Sequence, residues 1–277
     1  MSRARFGAEL LVLPAVIFLC VGFLIPLLRF FALAFSGRGG PFEPFRALAV
    51  SAVYREILFN TLFISMNVTV LTLLLAWPVA YVLTRIKGLF FVLLLYGVLF
   101  PLWISVLVRT YSWMLLLERN GPINRSLIEM GLIVQPLRLL FDIPGELIGM
   151  VHVLLPYAIL PLYAAMNRID TRLLLASDGL GASLFDTFRH IYFPLSLPGL
   201  IAGATFVFLL SLGFFITPAL LGGPKAMTLS MLIANFVNDR LEWDMAAAAS
   251  LVLLVATLVL LSFFSRLVPL RRDMILR

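Results

Sequence analysis

The sequence has 277 residues, 62% of them hydrophobic and 13% charged, with a formal net charge of +7 and a mean hydropathy of +1.07. That balance excludes a water-soluble globule, which would leave too much apolar surface in water. The apolar runs exceed ~20 residues, so the expected fold is all-α and integral to the membrane, since a barrel would show alternating segments of about 10.

The basic residues are dispersed and form no stripe, which argues against a nucleic-acid partner and for topology signals. Hydropathy places six transmembrane helices at about 9–35, 57–84, 89–117, 146–167, 194–221 and 244–268. The first follows Arg3 and Arg5 as a signal peptide would. Its apolar run is longer than the ~7–15 residues of a signal core, so it is expected to be retained. Cys20 is the single cysteine and lies in that run, which leaves no disulfide framework and no thiol metal site. In the second span Asn60, Thr61, Asn67 and Thr69 are expected to bond between helices.

The third span carries Arg109, about 12 Å of helix rise from Leu117 at ~1.5 Å per residue. Two readings stand for it. It lines a polar pathway or its outer gate, where it would repel a polyamine and welcome an anion or zwitterion, or it pairs structurally with Glu118 or another outer acid. Trp103, Tyr111, Trp113, Tyr157 and Phe215 are candidates for a cation–π lining, or else pack and anchor at the interface. The outer segment 118–145 has enough apolar residues over 127–140 for a short surface helix. His152 and His190 lack partners at metal-ligand spacing, so no metal site is expected.

The segment 170–193 breaks the apolar pattern. Asp170 or Thr171 can cap a helix over 172–178, Gly179 and Gly181 can end it in a left-handed turn, and Ser183 can cap a second helix over 184–190 with Asp186 at the third position. Pro194 is expected to close this helix–turn–helix knuckle, and Pro198 to lie in the first turns of the next span. The knuckle should expose Ala176, Ser177, Gly181, Ala182, Phe185 and Phe188. Such a segment either docks on a cytoplasmic partner or rests on lipid headgroups. In the fifth span Thr217-Pro218 should loosen the helix where a gate would need it. The balance of Lys and Arg, with Arg85, Lys87, Arg168, Arg172, Arg189 and the Arg271-Arg272-Arg277 tail on one side and Arg38, Arg46, Arg55, Arg119, Arg125, Arg138, Lys225 and Arg240 on the other, places both termini and the knuckle in the cytoplasm.

Leu175-Ala-Ser-Asp-Gly-Leu-Gly181-Ala-Ser, continued by Phe188, Ile191, Pro194 and Pro198-Gly199, resembles the EAA loop of bacterial ABC importer permeases. Pro101-Leu-Trp-x5-Arg109-Thr-Tyr-x-Trp113, Asn120-Gly-x-Ile-Asn124, His152-Val-Leu-Leu-Pro156-Tyr-x-x-Leu-Pro161-Leu-Tyr163 and Thr217-Pro-Ala-Leu-Leu-Gly-Gly-Pro224 are similar to the spermidine/putrescine-type branch, and within it to the first of two permease subunits. The resemblance covers about 60–264. It implies a domain organisation of first span and outer loop at 1–56, a permease domain at 57–268 with its coupling loop at 170–193, and a basic tail at 269–277. It implies that Ala176, Ser177, Asp178, Gly179, Gly181, Ala182, Ser183, Phe185, Phe188 and Arg189 couple to a cytoplasmic ATPase dimer; Trp103, Arg109, Tyr111, Trp113, Tyr157, Phe214, Phe215 and Thr217 are the candidates for bordering the pathway.

The expected setting is the bacterial inner membrane, with a second permease, an extracytoplasmic solute-binding protein and a small polar solute as partners. No cofactor is expected on this chain, with ATP and Mg on the partner ATPase: no Walker motif is present, and Gly222-Gly-Pro-Lys225 lacks the Gly-Lys-Ser/Thr ending that holds phosphate. The sequence departs from the family's pattern at Leu175, where many members have Glu, at Ser177, where Ala is usual, and at Phe214, where many polyamine-type members carry Glu. A polyamine is the first expectation for the solute; an opine, an amino-acid derivative or an aminophosphonate stands beside it. An ion-coupled secondary transporter is the rival class, and it predicts intramembrane acids or inverted halves that the sequence does not display.

Overall fold

The computed structural model describes residues 13–37 and 39–267, and the elements among them are helices with no strand. The expectations on Arg3, Arg5, Arg38 and the basic tail fall outside these residues. The chain divides into two units, 1–56 with 232–255 and 57–231 with 256–277.

In the first unit, α1 (Leu13–Leu33) is apolar except for Arg29. Helix α2 (Glu43–Val50) starts on Glu43 and Pro44, an acid and a pre-set φ where a first turn favours both. Phe35 packs against Phe42 and Phe45 at 6.0 and 5.4 Å between ring centroids. Arg240 lies over the Phe236 ring at 5.6 Å, and its Nη1 donates to the Tyr54 hydroxyl at 3.4 Å.

The second unit is organised by long helices. Helix α3 (Ala52–Arg85) enters it at Ile57. The polar groups on α3 divide in two: Asn60 Nδ2 donates to the Lys225 carbonyl (3.0 Å) and Thr61 Oγ1 accepts from Leu229 N–H (2.8 Å), whereas Asn67 and Thr69 donate to carbonyls of their own preceding turn. The expected third span is not one rod. It is α4 (Gly88–Leu99), continued by a 3₁₀ turn over Phe100–Trp103, and then α5 (Val106–Leu117), with a bend of 102° across the break. Pro101 cannot donate to the preceding turn and Ile104 takes up extended backbone, so the ladder stops there. The surface helix expected over 127–140 lies upstream as α6 (Pro122–Glu129); Pro122 starts it, and Gly131 at φ 71° ends the chance of continuing.

Helix α7 (Ile143–Met166) is capped by Asp142, whose carboxylate accepts the Ile143 N–H at 2.8 Å. After α8 (Thr171–Gly179), helix α9 (Leu184–Leu212) runs for 29 residues. Pro194 therefore does not close the knuckle as expected. A wider π turn over Phe188–Tyr192, in which Phe193 N–H reaches the Phe188 carbonyl, lets the helix pass the proline. Helices α7 and α9 approach closely over small residues: a Cβ on Gly199 would stand 2.5 Å from that of Ala165 and 2.8 Å from the Pro161 carbonyl oxygen. Their core includes Met150, Leu154, Ala158, Leu162 and Val207, joined by Ile64, Val68 and Ala76 of α3.

The fifth span breaks at 213–215, before α10 (Ile216–Leu221), rather than at Pro218 itself. The proline is still the cause. Pro218 has no N–H to give to the Phe214 carbonyl four residues back, and Ser230 Oγ donates to that freed oxygen at 2.7 Å instead. Helices α11 (Leu229–Asn235) and α12 (Trp243–Leu267) follow. Five of these helices are long and apolar enough to cross a membrane, or six with the bent α4–α5 pair taken as one.

Candidate functional site

The knuckle is built from local chemistry. Asp170 caps α8 by accepting from Arg172 N–H at 2.9 Å. Gly181 turns the chain at φ 77° with open space around its Cα, so backbone geometry alone reserves it for glycine. Ser183 Oγ accepts from Asp186 N–H at 3.1 Å and donates to the Asp186 carboxylate at 2.5 Å, a capping box whose carboxylate takes the hydroxyl proton.

Ala176, Asp178, Gly179, Gly181, Ser183, Phe185, Phe188 and Arg189 are exposed and Ala182 is half-buried. Ser177 departs from expectation. It is buried, and its hydroxyl shares a 2.8 Å hydrogen bond with Thr187, which ties α8 to the start of α9. The root of the knuckle is an aromatic cluster that sequence reasoning missed. Phe188 packs edge-on to Trp77 at 5.1 Å, Tyr81 stacks on Trp77 at 5.6 Å and meets Tyr192 at 5.2 Å, and Arg85 lies over Tyr81 at 5.1 Å. The i, i+4 spacing of Trp77, Tyr81 and Arg85 on one helix was the available signal. The cluster thereby joins the knuckle to α3.

The candidate pathway residues divide. Arg109, Thr110 and Trp113 of α5 meet Thr217 of α10 and His152 of α7. Thr110 and Thr217 share a hydrogen bond at 3.1 Å, and Trp113 Nε1–H donates to His152 Nδ1 at 3.1 Å. Accepting at Nδ1 leaves a neutral His152 with its proton on Nε2. Arg109 is 8% exposed, and its Nε and Nη1 have no hydrogen-bond partner. The expected pair with Glu118 is not made; the Glu118 backbone carbonyl instead accepts from Asn124 and Gly121. Leaving such donors buried and unmatched costs about 1–3 kcal/mol or more each. Tyr111 lies two residues from both Arg109 and Trp113, on the opposite face of α5, and is exposed, as is Trp103. Tyr157 and Phe215 are exposed and Phe214 is half-buried against the apolar core.

Sequence reasoning also missed Glu146. It lies in the first turn of α7, is 0% exposed, and both carboxylate oxygens are without a hydrogen-bond partner. Its cover is Gly222, where an added Cβ would stand 2.8 Å from Glu146 Oε2. Nearby lies a cavity of about 600 Å³ whose lining includes Leu117, Glu118, Arg119, Asn120, Arg138, Leu139 and Phe141. The Leu117 side chain and the Leu139 carbonyl close on Gly145, and the Phe141 carbonyl closes on Gly223. The glycines next to Glu146 and to its cover thus back the cavity wall.

Comparison with known proteins gives this arrangement its setting. The family model described as "Binding-protein-dependent transport system inner membrane component" matches residues 10–273. The spermidine/putrescine transport system permease protein PotB of Haemophilus influenzae is 34% identical over 253 residues, covering 88% of this chain and 87% of that protein. PotB of Escherichia coli K12 is 36% identical over 214 residues, covering 76% and 78%. A chain of a bacterial ABC transporter involved in import of the acidic polysaccharide alginate shares the fold, with a TM-score of 0.79 at 20% identity and 96% of each chain covered. The helical membrane fold, the knuckle and these relatives together establish that the chain belongs to the family of binding-protein-dependent transport system inner membrane components, as a permease subunit of an ABC importer.

Proposed function

We propose that this chain forms, with a second and related permease, the pathway by which a polyamine or similar small amine enters a bacterial cell across the inner membrane. The observation that carries the substrate class is the 34–36% identity to spermidine/putrescine permeases over most of the chain. In this reading there are six spans, with the bent α4–α5 pair as the third. Both termini and the knuckle face the cytoplasm, and 57–268 forms the transport domain ahead of a basic tail. ATP and Mg bind a cytoplasmic ATPase dimer rather than this chain. Ala176, Asp178, Gly179, Gly181, Ala182, Ser183, Phe185, Phe188 and Arg189 form the docking face, and buried Ser177 holds that face together. A solute-binding protein delivers the amine from outside. Arg109, Trp113, Tyr157, Phe214, Phe215 and Thr217 border the route, with Trp103 and Tyr111 open to a partner.

The exposed face of the knuckle supports docking. It is a helix–turn–helix held by its own caps, with Leu180 and Leu184 88% and 92% exposed at the turn. Apolar side chains at that exposure call for a partner surface. One observation favours a second reading: the unmatched Arg109 guanidinium suits a solute that also carries an anionic group, such as an aminophosphonate.

Purification from the native host in mild detergent, followed by mass spectrometry of the co-purifying chains and uptake assays in vesicles, tests both. A stoichiometric ATPase and ATP-dependent uptake of labelled putrescine or spermidine are expected. Uptake of an aminophosphonate with none of either amine selects the second reading. Reproducible purification without an ATPase, under conditions that preserve a known ABC complex, overturns the docking role.

A further inference from the structure

Cations crossing a membrane protein need a carboxylate or an aromatic face to replace lost hydration. At the position where an acid is expected in polyamine-type permeases this chain has Phe214, half-buried against the apolar core. The carboxyl group that position lacks is present on another helix. Glu146 is fully buried, and both of its carboxyl oxygens lack a hydrogen-bond donor.

Its place in the first turn of α7 does not account for it. Capping of that helix is performed by Asp142, which takes the Ile143 N–H, and the Glu146 carboxylate accepts from no backbone N–H there. Nor does Arg109 serve as its counter-ion. Both groups are unmatched, and Arg109 lies about 12 Å along α5 from Leu117, the residue that packs on Gly145.

What covers Glu146 is a short element set apart from the long helix before it. Gly222 follows α10, a six-residue helix severed from α9 by the break at 213–215. Helix α10 is held on α7 where Gly149 admits Thr217 and Leu221, and on α5 by the Thr110–Thr217 hydrogen bond. The Leu139 and Phe141 carbonyls that close on Gly145 and Gly223 belong to the lining of the cavity of about 600 Å³, whose edge carries Glu118 and Asn120 together with Arg119 and Arg138. Withdrawal of α10 and Gly222 would open the carboxylate to that cavity.

We propose that Glu146 is a substrate-binding carboxylate, which receives an ammonium group of the solute when α10 withdraws from α7 and is sealed again when α10 returns. This rests on the reading of the solute as an amine. It places the recognition of charge on α7, beside the Thr217-Pro218 segment, rather than within the apolar segment that precedes it.

The test uses the complete importer in proteoliposomes with a saturating amount of amine-loaded binding protein, measuring labelled putrescine or spermidine taken up and ATP hydrolysed in the same vesicles. Losing a charge-assisted hydrogen bond in Glu146→Gln should lower uptake by about tenfold or more, with ATP hydrolysis within about twofold of wild type, so that fewer amines cross per ATP. Glu146→Asp, which keeps the charge, should recover much of that ratio. An unchanged ratio in Glu146→Gln overturns the proposal. So does a parallel fall in uptake and hydrolysis, in Glu146→Asp as in Glu146→Gln, which is the signature of a structural carboxyl. If the wild-type importer moves other solutes but neither amine, the amine reading falls and this proposal with it. If it moves amines and the ratio ignores residue 146, only the proposal falls.

Discussion

The knuckle and the α5–α7–α10 cluster solve opposite problems. The knuckle is exposed and held by bonds that span a few residues: Asp170 to Arg172, Ser183 to Asp186, Ser177 to Thr187. The cluster is buried and held by bonds between distant parts of the chain: Thr110 to Thr217 across 107 residues and Trp113 to His152 across 39. At the root of the first only the Trp77 indole N–H is buried without a partner, whereas the second leaves the charged side chains Arg109 and Glu146 unmatched. On the proposed reading the knuckle transmits force, which needs a fixed shape, and local caps supply it. A region that must open needs contacts that can be exchanged, and groups left unmatched in one state are free to find partners in another.

Replacing Gly181 should separate the two regions most sharply. At φ 77° a β-branched side chain strains the backbone although space is open around it. Gly181→Val is expected to reduce ATP-driven uptake to background while the amount of protein in the membrane stays near wild type. Gly181→Asn, which tolerates the left-handed region, should keep most activity. Equal uptake by Gly181→Val and wild type would remove the rigid knuckle from the mechanism.

A smaller effect is expected on the cluster side. A Cβ at Gly149 would meet Thr217 Cγ2 at 2.7 Å and run into Leu221 as well. Gly149→Val should destabilise the protein by about 1–3 kcal/mol, the usual cost of overpacking, read as a lower thermal midpoint in detergent. A midpoint equal to wild type would mean that α10 already yields at no cost. The smallest effect belongs to the Thr110–Thr217 bond. A double-mutant cycle with Thr110→Val and Thr217→Val should give a coupling of about 0.6 kcal/mol, the average for hydrogen bonds between membrane helices. Zero coupling would leave α10 held on α5 by packing alone.

The same contrast explains what was legible in the sequence. The caps at Asp170 and Ser183 and the turn at Gly181 are local rules, and they stand where the spacing placed them. Pro194 misled because a single turn of altered hydrogen bonding carries the helix past it, and no residue announces such a turn. Pro101 was passed over because its neighbours are apolar enough to look like one span. At Pro218 the weak point was foreseen but not its position, since the break falls where the proline leaves a carbonyl free, and Ser230 rescues it from outside the helix. Glu146 stood at the edge of an expected span, where an acid is unremarkable. Only the long-range packing of Gly222 over it shows a carboxylate sealed from water.

The continuous helix from the knuckle into the fifth span has a mechanical consequence. Its 29 residues, at about 1.5 Å each, make a stiff rod of roughly 43 Å. Pivoting such a rod by about 10° at its knuckle end would carry its far end sideways by about 7 Å, more than half the ~10–12 Å width of a helix. The far end is Leu212, beside the break at 213–215. On the proposed reading a short stroke at the foot would be geared up where α10 begins, across the break at 213–215.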